Sequence, residues 1–174
     1  NIVKGIFSKP EKLYVHINHL DLQKLSFAVN NAKERGVILP EDKLEEVNAK
    51  IEHNGNISDV KLKIRGTFLE HVRDDKWSFR IKIKGKNRFL QMKEFAVMDP
   101  MRRNLLGEWF IRKVFQKEGI ITRKYEFIEV IMNGKSKGIY VIDERYDNVM
   151  LERNHRKEGP VMKLDQTPMF AEKP

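Results

Sequence analysis

The chain has 174 residues, of which 40% are hydrophobic and 34% are charged. This length and composition fit one globular domain with its own core, and they exclude a wholly disordered chain. The formal net charge of +9 favours anionic partners such as nucleic acid, nucleotides, polyanionic glycans or an acidic membrane face. Because the sequence has no cysteine and no run of about 18 apolar residues, disulfides, zinc–thiolate sites, Cys nucleophiles and membrane-spanning helices are excluded.

Two Asn-Gly pairs each predict a β-hairpin, because this pair tolerates the positive φ angles of a type I′ turn. Alternating apolar and polar residues flank both pairs, as expected for half-buried strands. The predicted hairpins are 46–53 with 57–65 around Asn54-Gly55, and 124–144 around Asn133-Gly134. Together they predict a largely antiparallel sheet.

Two helices are predicted from start and stop signals. Asp21 is a suitable N-cap for a helix that stops at Gly36. Asp99 followed by Pro100 begins a second helix, which stops at Gly119. This second helix is expected to pack through a wide apolar face formed by Leu105, Leu106, Trp109, Phe110, Val114 and Phe115.

Four further strands are expected, at 13–17, at 77–83, in a short segment that ends at Phe89, and at 161–164, and residues 145–153 are expected to form a short helix. In the second of them apolar residues alternate with basic ones, so that one face is apolar and the other is basic. The elements together predict an α+β domain, in which a largely antiparallel sheet carries two or three packed helices.

Six short motifs follow one another between Lys63 and Glu144. They are Lys-Ile-Arg-Gly-Thr (63–67), Lys-Trp-Ser-Phe-Arg-Ile-Lys (76–82), Met-Lys-Glu-Phe (92–95), Pro-Met-Arg-Arg-Asn-Leu-Leu-Gly-Glu-Trp (100–109), Glu-Val-Ile-Met-Asn-Gly-Lys (129–135) and Gly-Ile-Tyr-Val-Ile-Asp-Glu (138–144). The series, in this order, resembles the spore-coat protein H kinase-like (CotH-like) family.

The resemblance implies the N-terminal lobe of an atypical protein kinase that uses ATP and Mg²⁺ to phosphorylate Ser or Thr of partner proteins. It also implies an extracytoplasmic location, at the cell surface or the spore coat. Residues 1–174 are then expected to form a single domain or a fragment, with a strand–helix–strand region at 1–55 and a CotH-like core at 56–165. The second lobe is expected to be absent, because only about 30 residues follow Glu144.

A kinase must hold the ATP phosphates and neutralise their charge. In Arg65-Gly66-Thr67, the glycine lets the backbone approach an anion, although an ordinary turn glycine is the alternative. Arg80 and Lys82, two apart on a strand, point to one face. Lys82 is the conventional strand lysine and Arg80 would bind phosphate oxygens bidentately, whereas a solvated basic face is the alternative.

Glu108 lies in the second predicted helix and is expected to pair with Lys82 or Arg80 across the nucleotide cleft. A pair with Arg112, one helical turn further on, is the alternative.

Residues 140–144 would form the connector on which adenine rests. Asp143 and Glu144 are therefore candidates for binding ribose hydroxyls, or else for ordinary salt bridges. Asp147 and Asp165 are the aspartates that follow, and neither lies in a His-Arg-Asp or Asp-Phe-Gly motif. Catalytic residues are therefore not assigned, no metal site is predicted, and the chain alone is expected to lack phosphotransfer activity.

Two functions remain open. One is the nucleotide-binding lobe of a CotH-like protein kinase, with ATP and a protein substrate as partners. The other is a noncatalytic basic module that binds a polyanion, either nucleic acid or an acidic surface polymer. The net charge of +9 supports both, although aromatic residues do not cluster with basic residues as they do in ribonucleoprotein motifs.

Overall fold

The computed structural model describes residues 10–39, 46–66, 68–157, 159, 160 and 162. Seven strands lie in these ranges: β1 (Lys12–Ile17), β2 (Val47–His53), β3 (Asn56–Ile64), β4 (Phe79–Ile83), β5 (Glu94–Met98), β6 (Tyr125–Met132) and β7 (Lys135–Glu144). The strands join in the order β1-β2-β3-β4-β5-β7-β6, and the last pairs with the first. The sheet therefore closes into a barrel.

In the described ranges, the helices together contain fewer residues than the strands. The helices are α1 (His19–Arg35), α2 (Gly107–Lys117) and α3 (Asn148–Arg153), together with 3-10 turns at Leu69–Val72 and Pro100–Arg103. The N-cap of α1 is Asn18 rather than Asp21, because the Asn18 side chain accepts the N–H of Asp21 at 2.8 Å. The predicted stop at Gly36 is correct. No helix in the described part of the chain is long and apolar enough to cross a bilayer.

Both predicted hairpins are confirmed. β2 pairs with β3 and β6 pairs with β7, in each case antiparallel. The turn residues adopt the positive φ angles expected of type I′ turns: Asn54 49°, Gly55 77°, Asn133 46° and Gly134 81°.

Closure of the barrel depends on the parallel pairing of β1 with β6, which places Lys12 opposite Glu129. The other neighbouring strands of the barrel pair antiparallel. Asn133 extends the parallel ladder with its side chain. Its Oδ1 accepts the N–H of Ile17, and its Nδ2 donates to the carbonyl of Ile17, each at 2.9 Å. One turn asparagine thus ties the first strand to the end of β6.

The barrel interior is filled by alternate residues of each strand, as the two-residue repeat of a β-strand requires. Representative inward side chains are Leu13, Val15, Val60, Leu62, Ile81, Ile83, Phe95, Val97, Ile128, Val130, Tyr140 and Ile142. α1 adds Leu25, Val29 and Ala32 to this core. A smaller cluster formed by Ala96, Met98, Tyr125 and Val141 lies on the outer side of the same strands, with Trp109 and Phe127 packed against it.

The predicted fold class is wrong. The sequence predicts an α+β domain with packed helices, resembling an atypical kinase N-lobe, whereas the structure is a closed mixed barrel that consists mostly of sheet. The physical reason is the β1–β6 contact, which joins the two edges that an open sheet would have left free. β5, which the sequence analysis did not predict, adds a further strand. Its Phe-Ala-Val-Met run is buried on both faces and therefore lacks the alternation by which strands are recognised.

The second predicted helix is interrupted. Asp99 does cap a helical turn, since its Oδ1 accepts the N–H of Met101 at 3.2 Å. The turn ends because Asn104 and Leu105 adopt φ angles of 53° and 47°, which stop a right-handed helix. α2 begins only at Gly107.

The predicted packing of this helix is correct for Trp109, which packs against the outer cluster, and wrong for the rest of the apolar face. Phe110, Val114 and Phe115 are exposed, and the buried residue of α2 is Arg112. Among the other predicted strands, β4 begins at Phe79, two residues later than expected. The strand predicted at 161–164 lies outside the described residues, apart from Met162.

Candidate functional site: a basic face beside an arginine cluster

The two predicted strand cations lie on the outer surface of the barrel, because their neighbours along β4 fill the core. Arg80 and Lys82 are joined there by two lysines of β3. The β3–β4 register places Lys61 opposite Lys82 and Lys63 opposite Arg80. We name these four residues the basic face.

Two carboxylates border the basic face. Glu46 Oε1 lies 3.1 Å from Lys63 Nζ, and Glu94 Oε1 lies 3.6 Å from Arg80 Nη1. The hydrogen bond from Lys63 is the main reason why the pKa of Glu46 lies below its usual value. The charges of Lys82 and Lys61 lower this pKa further. Four cations against two carboxylates leave the face positively charged.

A second group of charges surrounds Asp143, on the outer side of β7, which is only 2% exposed. Its carboxylate lies 3.0 Å from Arg123 Nη1, 3.2 Å from Arg112 Nη2 and 3.9 Å from Arg65 Nη2. We name Asp143 and these three arginines the arginine cluster. It joins the end of β3, the strand β7 and the helix α2.

Aromatic rings orient two of these arginines. The guanidinium of Arg112 lies 4.7 Å from the ring centre of Tyr125, and that of Arg123 lies 4.7 Å from the ring centre of Tyr146. A guanidinium over an aromatic face is attracted to the ring and loses orientational freedom. The cluster is therefore held in place by stacking as well as by charge.

Glu108 binds Arg112, which is the alternative partner that the sequence left open. The strand cation Arg80 lies instead beside Glu94. Because Arg112 also contacts Asp143, Glu108 is linked to the arginine cluster through Arg112. The predicted site residues Arg65, Glu108 and Asp143 are thus brought together, but around an arginine that was assigned no part in the site.

Gly66 is required by packing. Its φ is 115°, and a Cβ added there would lie 2.2 Å from the imidazole ring of His71. The alternative of an ordinary turn glycine therefore explains this residue without a bound anion. Thr67 lies outside the described residues.

Glu144 is 1% exposed and is held by other groups of the chain. Its Oε2 accepts the backbone N–H of Lys124 at 2.8 Å and contacts Arg153. Burial is the main reason why the pKa of Lys124 lies below its usual value, and the charge of Arg153 lowers it further. Asp143 and Glu144 both take part in salt bridges. Salt bridging was the alternative to ribose binding in the sequence analysis.

The carboxylates that follow β7 offer no catalytic arrangement within the described residues. Asp147 is the N-cap of α3, and its Oδ1 accepts the N–H of Met150 at 2.9 Å. Asp165 lies outside the described part of the chain. No group of three or more His, Asp or Glu side chains that could hold a metal ion occurs in the described ranges.

Sequence reasoning missed four members of this site. Lys61 and Lys63 alternate with apolar residues on β3 just as Arg80 does on β4, so the hairpin pattern contained the signal. Arg123 precedes β6 and has no periodic pattern around it. The sequence offered Arg112 only as a surface partner of Glu108. Its burial becomes evident only in the folded structure, where α2 lies over Asp143.

The comparisons with known proteins agree with the motif series. The family model described as CotH kinase protein matches residues 62–173, more than half of the chain. The chain belongs to the CotH kinase family. The match covers the basic face except Lys61, and it covers the whole arginine cluster. No curated protein matches the chain.

Proposed function

We propose that this CotH-family chain binds the phosphates of ATP for a protein kinase that phosphorylates Ser or Thr of partner proteins. The observation that carries the proposal is the pairing in the basic face, Lys61 opposite Lys82 and Lys63 opposite Arg80. Like charges directly opposite each other destabilise a sheet. A bound triphosphate would relieve this repulsion, because its negative charges would lie among the four cations.

The donor chemistry of the face suits phosphate groups. Arg80 carries a planar fork of N–H donors that can bind two phosphate oxygens, and the three lysines act as compact point charges. Arg65, at the end of β3, extends the same row of outward cations toward the arginine cluster. The phosphates therefore have donors along the outer side of β3 and β4 from Lys61 to Arg65.

The same residues do not suit Mg²⁺. This ion prefers carboxylate and phosphate oxygens in near-octahedral geometry. The described ranges contain no cluster of carboxylates or histidines suited to a metal. The metal ligands and the catalytic carboxylates are then supplied from outside the described residues.

Family membership extends the proposal to partners and place. It supports a protein substrate, and an extracytoplasmic location at the cell surface or in the spore coat. The nucleotide-binding experiments that follow test neither the protein substrate nor the location.

Nucleotide binding is tested by thermal unfolding with Mg-ATP. At ten times its Kd, the ligand contributes about 1.4 kcal/mol, which corresponds to a Tm increase of about 3–6 °C for a chain of this size. We expect Arg80→Ala/Lys82→Ala to weaken ATP binding by about tenfold or more, because two charge-assisted hydrogen bonds are lost.

A matched control is Lys24→Ala/Lys33→Ala, which removes the same charge from α1. It should leave the Kd for ATP within about twofold. Equal weakening by both double variants would show that ATP responds only to net charge, and the absence of any Tm shift would refute the proposal.

The polyanion alternative is distinguished by salt dependence. Binding of heparin or DNA falls steeply with salt, because many counterions are released. Heparin stabilisation with a steep salt slope, together with no response to Mg-ATP, would favour the noncatalytic module.

We expect the 174-residue chain alone to transfer no phosphate. Incubation with labelled ATP, Mg²⁺ and a Ser-rich protein such as casein should give no labelled product above a no-enzyme control. Robust, metal-dependent transfer would show that the catalytic carboxylates lie within this chain, although ATP binding itself would remain as proposed.

A further inference from the structure

The helix α2 carries an apolar face that the rest of the described chain does not cover. The exposed fractions of its side chains are 61% for Phe110, 50% for Ile111, 39% for Val114 and 40% for Phe115. Positions 110, 111, 114 and 115 lie on one side of a helix. Other exposed apolar residues adjoin this face in sequence: Met101, Leu105, Leu106 and Ile120.

α2 attaches to the barrel through the buried Arg112, with Trp109 packed against the outer cluster. Arg112 is 8% exposed and contacts Asp143, while Glu108 binds Arg112. A helix that packs on a core normally does the reverse, burying its apolar stripe and exposing its charges. The apolar face of α2 is therefore directed at something other than its own barrel.

The charges beside this face indicate an anionic occupant. Lys113 and Lys117, one turn apart, are exposed on α2, and Lys113 Nζ lies 5.6 Å from the ring centre of Trp109. The whole chain carries a net charge of +9. A second copy is disfavoured, because it would bring another +9 against the same basic helix.

We propose that α2 binds in the surface of an anionic lipid bilayer, with its apolar face among the acyl chains. Helices of this kind are strongly amphipathic, have low average hydrophobicity, and combine aromatic and aliphatic residues on one face with basic residues beside it. α2 has each of these features. The lysines contact anionic head groups, which attract basic residues close to a membrane surface.

The test uses the full chain with Trp77→Phe, Trp109→Phe and Ile111→Trp, so that its one tryptophan lies on the exposed apolar face of α2. Vesicles of equal parts phosphatidylglycerol and phosphatidylcholine should shift the emission of this tryptophan to the blue, and brominated lipid should quench it. Pure phosphatidylcholine vesicles should bind at least about tenfold more weakly, because head-group attraction is lost. Phe110→Ser/Phe115→Ser should lower the partition coefficient by about tenfold or more, since two exposed aromatic side chains no longer insert.

Leu20→Ser/Phe27→Ser on α1 is the matched control, since these side chains are 71% and 68% exposed. It should change partitioning less than about twofold. Because all four substituted residues are exposed, both variants should keep the wild-type Tm. Equal binding by the α2 variant, equal losses in the two variants, no binding to anionic vesicles, or a dimer that the α2 variant abolishes without vesicle binding would each overturn the proposal.

Discussion

Replacing Asp143 with alanine is expected to lower the free energy of unfolding by about 3–5 kcal/mol. Asp143 is buried, and its carboxylate is the shared counter-charge of Arg65, Arg112 and Arg123. Removing one partner of a buried charge network leaves the others uncompensated in a poorly hydrated place. The loss should also loosen α2, because Arg112 is its buried anchor.

Urea denaturation of Asp143→Ala against the parent chain measures this effect. Asp75→Ala is a suitable control, since the Asp75 side chain is 64% exposed and binds Lys135 and Lys137 on the surface. Surface pairs contribute only about 0–1 kcal/mol, so the control should unfold almost as the parent does. If Asp143→Ala stays within about 1 kcal/mol of the parent, the arginine cluster is hydrated well enough to tolerate the loss.

Gly66→Ala is expected to cost at least about 2 kcal/mol of stability, for two independent reasons. The φ of 115° belongs to a backbone region that side-chain-bearing residues rarely adopt, which costs about 1–3 kcal/mol. The added methyl group would also collide with His71, and overpacking costs about 1–3 kcal/mol more.

A double variant separates these two costs. His71→Gly/Gly66→Ala removes the collision, including the contact with His71 Cβ at 2.5 Å, so it should be less destabilised than the sum of its single variants. Gly85→Ala provides the control for backbone strain, because its φ is 63° and a Cβ there would meet nothing within 4 Å. Equal destabilisation by Gly66→Ala and Gly85→Ala would show that His71 moves aside at little cost.

The local elements of this fold were predictable because their signals are local. Asn54-Gly55 and Asn133-Gly134 specify their turns within a few residues, and the flanking alternation specifies which side chains face inward. Closure of the barrel was not predictable in the same way. The parallel β1–β6 contact joins segments with no short connection between them, and no pattern in either strand identifies its partner.

The candidate site, like the fold, was predictable where the signal is local and not where it depends on long-range contacts. The outward direction of Arg80 and Lys82 follows from strand alternation, and the structure places both residues on the outer face. Helical spacing offered Arg112 as one partner of Glu108, but it could not show that Arg112 is buried against Asp143. Arg112 and Arg123 belong to the site because they contact Asp143. These contacts form only in the folded barrel.

The bond between Asn133 and Ile17 has a consequence for the order of folding. The two residues are 116 positions apart in sequence, so the seam between β1 and β6 is among the slowest contacts to form. During synthesis from the N-terminus, β1 has one unpaired edge until β6 has emerged. At high concentration this edge can pair with β6 of another molecule, which makes strand exchange across the seam the expected route of misassembly.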